Sequence, residues 1–318
     1  MLRPGRSGEA RAVEPEPPCA ARRRRRGSPL AVAAALALAA SPALAGKARD
    51  YLNAPKDSWV TFYNLGWSRS VAPALGGSEF GTGALETDLV SQSLILSRIV
   101  DVWGRTGGLS LIVPHASIDS RNGGADGVGD LGFVAEVNLF GAPALSKEAF
   151  ADWTPETFAS AHFVLTAPTG SYDDDRAPNV GANRWSLAST VNYSYTPDAG
   201  WTWLELYGTL LLFTENTDAP GAAETLSRDP LWRVEAHASR NLTPDFWVSA
   251  DAYYDIGGET ALDGKGQDDA ADTLRAGLGF GLRLPGRVQL MMNADQVIAR
   301  PSGQPDGFSL RLTLARVW

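Results

Sequence analysis

Hydrophobic and polar residues alternate along most of this chain, and the alternation is clearest at its end. In Phe308-Ser-Leu-Arg-Leu-Thr-Leu-Ala-Arg-Val-Trp318, Phe308, Leu310, Leu312, Leu314 and Trp318 fall on one side, and Ser309, Arg311, Thr313 and Ala315 on the other. A period of two puts successive side chains on opposite faces of a β-strand. In 231–242, Arg233, Glu235, His237 and Ser239 oppose Trp232, Val234, Ala236 and Ala238. In 246–257, Ser249, Asp251 and Asp255 oppose Phe246, Val248, Ala250, Ala252, Tyr254 and Ile256. In 273–284, Arg275 and Arg283 oppose Leu274, Leu278, Phe280, Leu282 and Leu284. About twelve such segments have the length of a tilted membrane strand. They are 57–67, 87–103, 107–119, 128–141, 158–168, 184–196, 201–214, 231–242, 246–257, 273–284, 287–299 and 308–318. Segment 87–103 fits least well, because Leu94-Ile-Leu96 interrupts the alternation, and a bulge or a shifted register is expected there.

Periodicity alone fits a soluble sandwich as well as a barrel, but the connections separate the two. Tight turns at Thr196-Pro-Asp-Ala-Gly200, Leu242-Thr-Pro-Asp245 and Pro285-Gly-Arg287 alternate with long polar loops near 68–86, 119–128, 169–183, 215–230 and 258–272. Short periplasmic turns and longer extracellular loops are the asymmetry of an outer-membrane barrel. The longer connection 142–157 has room for one or two helical turns. The expected fold is all-β: one antiparallel transmembrane β-barrel of about twelve strands. An aromatic last residue, Trp318, suits a closing strand whose end lies in an interface girdle, and such a strand resembles the signal read by the barrel-assembly machinery. Arg316 falls on the apolar face and must snorkel. Trp59, Trp67, Trp103, Trp185, Trp201, Trp203 and Trp247 lie near strand ends, where girdles would put them.

Residues 1–45 read as a removed signal peptide. Arg22 to Arg26 form a basic region, Leu30 to Ala40 a short apolar run, and Ala43-Leu-Ala45 an A-x-A cleavage signal. Residues 46–318 are then the barrel. The single cysteine, Cys19, lies in the leader, so the mature chain has no thiol. The leader holds eight arginines and three glutamates, so its removal leaves 20 basic and 33 acidic residues, a net charge of −13. That balance argues against nucleic acid as a partner. The expected partners are membrane lipid and lipopolysaccharide, the barrel-assembly machinery through the last strand, and a small hydrophobic solute.

Chemistry-bearing motifs are sparse. There is no H-E-x-x-H, C-x-x-C, G-x-S-x-G or P-loop pattern, so no metal, nucleotide or other cofactor is expected. His115-Ala-Ser117 and His237-Ala-Ser239 each put a histidine and a serine on one strand face. An outer-membrane phospholipase uses that spacing, which makes a barrel esterase an alternative, although the Asn-Gly that follows its serine is missing at both places. The acidic runs Tyr172-Asp-Asp-Asp175 and Gln267-Asp-Asp-Ala-Ala-Asp272 lack EF-hand spacing and read as solvated loops.

Three stretches carry a family resemblance: Gly127-Val-Gly-Asp-Leu131, Ala167-Pro-Thr-Gly-Ser-Tyr-Asp173 and Asn179-Val-Gly-Ala-Asn-Arg-Trp-Ser186. In this order they resemble the outer-membrane transporter family associated with the MetA pathway of phenol degradation. The resemblance implies a barrel passing hydrophobic or aromatic compounds, and no catalytic residues. Their glycines and prolines also suit strand bends and strand ends. The leading expectation is a channel for such solutes, and the alternatives are the esterase and a structural or adhesive barrel. Arg233, Glu235, His237, Asp251, Asp255, Arg275 and Arg283 are expected to line the lumen as a charged ladder.

Overall fold

The computed structural model describes residues 46–72, 85–121, 123–221 and 223–318. The expected signal peptide, residues 1–45, and residues 73–84, 122 and 222 lie outside these residues. The wall of the barrel is built from β1 (Trp59–Ala72), β2 (Leu85–Val102), β3 (Arg105–Ser120), β4 (Gly123–Val128), β5 (Gly132–Phe140), β6 (Phe158–Thr166), β7 (Ser186–Tyr195) and β8 (Thr202–Phe213). It continues, after the short β9 (Leu226–Arg228), with β10 (Leu231–Thr243) and β11 (Phe246–Gly257). The short β12 (Thr260–Leu262) and β13 (Lys265–Gly266) precede β14 (Ala271–Leu284), β15 (Val288–Ala299) and β16 (Asp306–Val317). Every wall strand is antiparallel to its neighbours, and β16 closes on β1 from Val60↔Val317 to Val71↔Asp306. Counting β4 and β5 as one interrupted strand, the barrel has twelve strands. β9, β12 and β13 form a small sheet in the long loops. The only described helix is α1 (Lys147–Ala151), a short one in the 142–157 connection, capped by the Ser146 hydroxyl, which accepts from the Ala149 N–H.

Alternation is realised as inside against outside. Leu96, Val113, Phe163, Leu206, Val234 and Leu278 are among the large apolar residues exposed on the outer face. Charged and polar residues between them, such as Glu205, Arg233, Glu235 and Asp251, are buried. An outer face this apolar suits lipid, because water-soluble surfaces rarely carry so extended an apolar belt. Arg316 lays its guanidinium 3.7 Å from the centre of the Trp318 ring, which accommodates the charge on the apolar face.

Four expectations are corrected. Leu94-Ile-Leu96 contains no bulge: β2 pairs in unbroken register with β1 and β3, and Ile95 simply faces inward. The stretch 119–128 is mostly strand, since β4 pairs with the far half of β3. The wall is instead interrupted at 129–131, opposite Val113 and Pro114, where Pro114 has no N–H to give to a ladder. Trp203 and Trp247 are 2% and 6% exposed and face inward, whereas Trp59, Trp103, Trp185 and Trp201 are exposed near strand ends.

Candidate functional site

The barrel interior is not a plain lumen, because the chain's own residues 46–56 run into it. Lys47 and Ala48 are buried, and Ala48 packs with Trp247, Met291 and Ala315. The Arg49 N–H donates to Glu205 Oε2 at 2.8 Å. Its guanidinium donates to Ser239 Oγ at 2.8 Å and Asn241 Oδ1 at 2.6 Å, and lies over the Trp247 ring. Tyr51 stacks on His162 at 3.8 Å and meets Tyr207 edge-on at 4.8 Å. Asn53 Nδ2 and the Lys56 N–H donate to the carbonyls of Pro143 and Leu145, which pins the segment to the short-turn end. Trp203 and Trp247, the two tryptophans that leave the girdle, therefore serve to seat this segment.

Around the segment, one side of the interior is filled by the charged ladder. Arg233 makes a two-point bond to Asp255, at 2.5 and 2.9 Å. Arg275 donates to Asp295 at 3.0 Å and approaches Asp255 at 3.8 Å. His237 Nδ1 lies 2.7 Å from Asp251 Oδ1, and Asp251 also accepts from Ser249 and Asn293. Glu235 stands beside His237, its Oε2 3.5 Å from Nε2. Thus Arg233, Glu235, His237, Asp251, Asp255 and Arg275 are brought together as one packed network. Asp295 belongs to it too, although on 287–299 a lone acidic residue gave little to single it out. Arg283 stands apart at the short-turn end, 3.7 Å from Asp245. Of the seven residues expected to line the lumen, only Arg283 borders the main interior cavity.

That cavity, of about 920 Å³, lies along the opposite wall. Phe62, Leu89, Ile95, Ile112, Val134 and Val164 give it an apolar side, one or more from each of β1, β2, β3, β5 and β6. The inserted segment forms its other side, through Tyr51, Leu52 and Pro55 among others. An apolar surface beside a short run of hydrogen-bonding groups is the usual make-up of a site for small organic molecules.

Neither H-x-S pair forms a reactive site. His115 is half exposed beside the wall break and borders the cavity, Asp126 being 3.7 Å away, whereas Ser117 is exposed and does not border it. Ser239 accepts from Arg49, and His237 is engaged by Asp251. A third pair, Ser160-Ala-His162, has the reverse order and so matches no H-x-S pattern. Ser160 Oγ is 2.6 Å from His162 Nε2, and His162 Nδ1 is 3.1 Å from Glu136. The Ser160 hydroxyl also donates to Asn192, and Tyr51 covers the imidazole, so this chain of polar groups anchors the segment and offers no open nucleophile.

The three glycine-containing stretches meet at the wall break. Asp130 accepts from the Gly170 N–H at 2.7 Å through one oxygen and from the Ala182 N–H at 2.8 Å through the other. A Cβ on Gly170 would fall 2.7 Å from Gly129, and one on Gly181 2.8 Å from Gly170. Only glycine permits these approaches. Asp130 thereby ties both ends of loop 167–185 to the interrupted strand. Each such bond to a carboxylate is worth about 1.5–3 kcal/mol. Asp130→Ala is therefore expected to raise the protease sensitivity of this loop about tenfold or more, with the barrel itself intact. Limited proteolysis followed by mass mapping checks this, and unchanged cleavage would show that Asp130 does not hold the loop.

Arg184, further along this loop, and Arg228 of β9 both lie over the Phe213 ring, at 5.0 and 4.9 Å. Burial lowers both guanidinium pKa values to about 10, with Tyr172 and Asp130 opposing the shift at Arg184. Asp173, Asp174 and Asp175 lie close together, but Asp173 is paired with Arg176 at 3.3 Å. In the second acidic run, Asp269 bonds Thr260 and Asp272 accepts from Tyr254, so these carboxylates hold loops and strands rather than one another.

An outer membrane channel from Pseudomonas putida F1 has a similar structure, at 23% identity and a TM-score of 0.73 over 86% of this chain and 100% of that one. The transport unit of the autotransporter AIDA-I from Escherichia coli is more distant, with 13% identity and a TM-score of 0.53 over 91% of this chain and 98% of that one. These likenesses show the fold. No curated protein sequence matches the chain. A family model described as "Putative MetA-pathway of phenol degradation" matches residues 50–312, from the inserted segment to the last strand. The chain belongs to that family.

Proposed function

We propose that the protein is an outer-membrane channel through which small hydrophobic or aromatic solutes diffuse. The observation that carries this reading is the two-sided interior. One wall presents Phe62, Leu89, Ile95, Ile112, Val134 and Val164 to the cavity among small polar residues such as Ser91, Ser93 and Ser110, while the charged wall is bonded to itself and to the N-terminal segment. A solute with little hydrogen-bonding capacity loses nothing against the apolar side, whereas a sugar or ion would be desolvated there. The family's association with phenol degradation and the channel named for the Pseudomonas relative are consistent with this. In this reading the short turns and both ends of the barrel face the periplasm. The acidic loops face lipopolysaccharide outside, and β16 carries the assembly signal. The six networked charges act as scaffold for the segment, and Arg283 guards the short-turn mouth. Proteoliposomes test the reading: entry of a neutral aromatic solute of about phenol size should exceed that of an equally small polyol. Equal entry of the two, or none of either, would contradict it.

A further inference from the structure

The ladder contains one buried carboxylate oxygen without a hydrogen bond. Glu235 is 2% exposed, and its Oε2 makes no hydrogen bond. His237 Nε2 stands 3.5 Å away but bonds nothing either, and that ring is already held through Nδ1 by Asp251. Burying a carboxylate without a compensating charge and hydrogen bond is costly.

Gly46 also lies close to this oxygen. A Cβ there would lie 3.0 Å from Glu235 Oε2 and 3.1 Å from the Tyr207 ring. A side chain at residue 46 would crowd this oxygen and the Tyr207 ring. Gly46 is also the residue that follows Ala43-Leu-Ala45. As part of an unprocessed chain, its nitrogen is a neutral amide with one N–H. As a first residue it is an ammonium with three donors, charged at neutral pH because an α-amino group titrates near 8. Rotation about the Gly46 backbone brings such an ammonium within reach of Oε2.

We propose that cleavage after Ala45 makes the α-ammonium of Gly46 the counter-ion of Glu235, so that removal of the leader locks the N-terminal segment into the barrel. The inference rests on the cleavage reading but not on the identity of the solute. It gives processing a structural role. The uncleaved chain lacks that charge. The charged bond that locks the segment therefore forms only after the leader has gone.

The test uses the mature barrel purified from outer membranes. N-terminal sequencing should read Gly46 first, and any other start overturns the premise by itself. The α-amine is then challenged with a water-soluble amine-reactive ester near neutral pH, with modification at residue 46 read by mass spectrometry. In the wild-type barrel it should be protected. In Glu235→Gln, which keeps the shape and removes the charge, labelling should be faster by about tenfold or more. A second variant covers a folding failure of the first. Insertion of Gly-Ser-Gly between Ala45 and Gly46 carries the amine away from Glu235 and should label equally fast. A wild-type amine labelled as readily as that of the insertion variant would overturn the pairing.

Discussion

Deletion of residues 47–55 is expected to raise single-channel conductance by roughly an order of magnitude, with the barrel still folded. A barrel of twelve strands lies between the eight-stranded size, which side chains fill, and open porins of sixteen or more. Its interior is reduced to a one-sided cavity because the segment crosses it, held by Glu205, Ser239, Asn241 and Pro143 and by stacking on His162. None of these contacts belongs to the wall ladder, which closes without residues 47–55. Removing the segment should leave water in its place around the freed carboxylates. Planar-bilayer recordings measure the change, and heat-modifiable migration on gels confirms the fold. A conductance equal to wild type would mean that the segment leaves the lumen under working conditions.

Asp255→Ala should do the opposite, costing stability without opening the pore. Asp255 neutralises Arg233 through two bonds and approaches Arg275 at 3.8 Å. Arg233 is 2% exposed, with no route to solvent. Taking one partner from a buried pair costs about 3–5 kcal/mol because the other charge is left uncompensated. The expected outcome is a large drop in folded barrel and in the denaturant concentration needed to unfold it. The double variant Asp255→Asn with Arg233→Met, which removes both charges, should recover much of the loss. Equal destabilisation by the single and double changes would show that packing, not charge, makes the position sensitive.

The wall was legible in the sequence because one face meets lipid and the other does not, so the period of two survives in strand after strand. The strand from 246 to 257 was bounded to the residue. What did not come through was the content of the interior. Clean alternation in 231–242, 246–257 and 273–284 marks the strands whose inner face carries the charged network. It was natural to expect the solute beside those charges, but they pair with one another instead. The blurred alternation in Leu94-Ile-Leu96, Leu111-Ile-Val113 and Phe163-Val-Leu165 carries the other half of the picture. There the inner residue is apolar as well, because Ile95, Ile112 and Val164 face the cavity. Apparent irregularity in the pattern was thus the trace of the candidate path. The inserted segment left no periodic signal at all, being irregular chain held by side chains from distant strands. Asp130 lay within a recognised stretch, but its bonds to Gly170 and Ala182 join residues 40 and 52 positions away, which spacing alone does not reveal.

If hydrophobic solutes travel along the cavity beside a seated N-terminal segment, narrowing that cavity must slow them. The most direct measurement is the rate at which a neutral aromatic solute enters proteoliposomes containing wild-type protein or Val134→Trp. The larger side chain would fill part of the cavity from β5 without touching the charged network. The account predicts that aromatic entry falls to a small fraction of wild type, with folding and the anchoring of the segment unchanged. Undiminished aromatic entry through a correctly folded Val134→Trp barrel would contradict it.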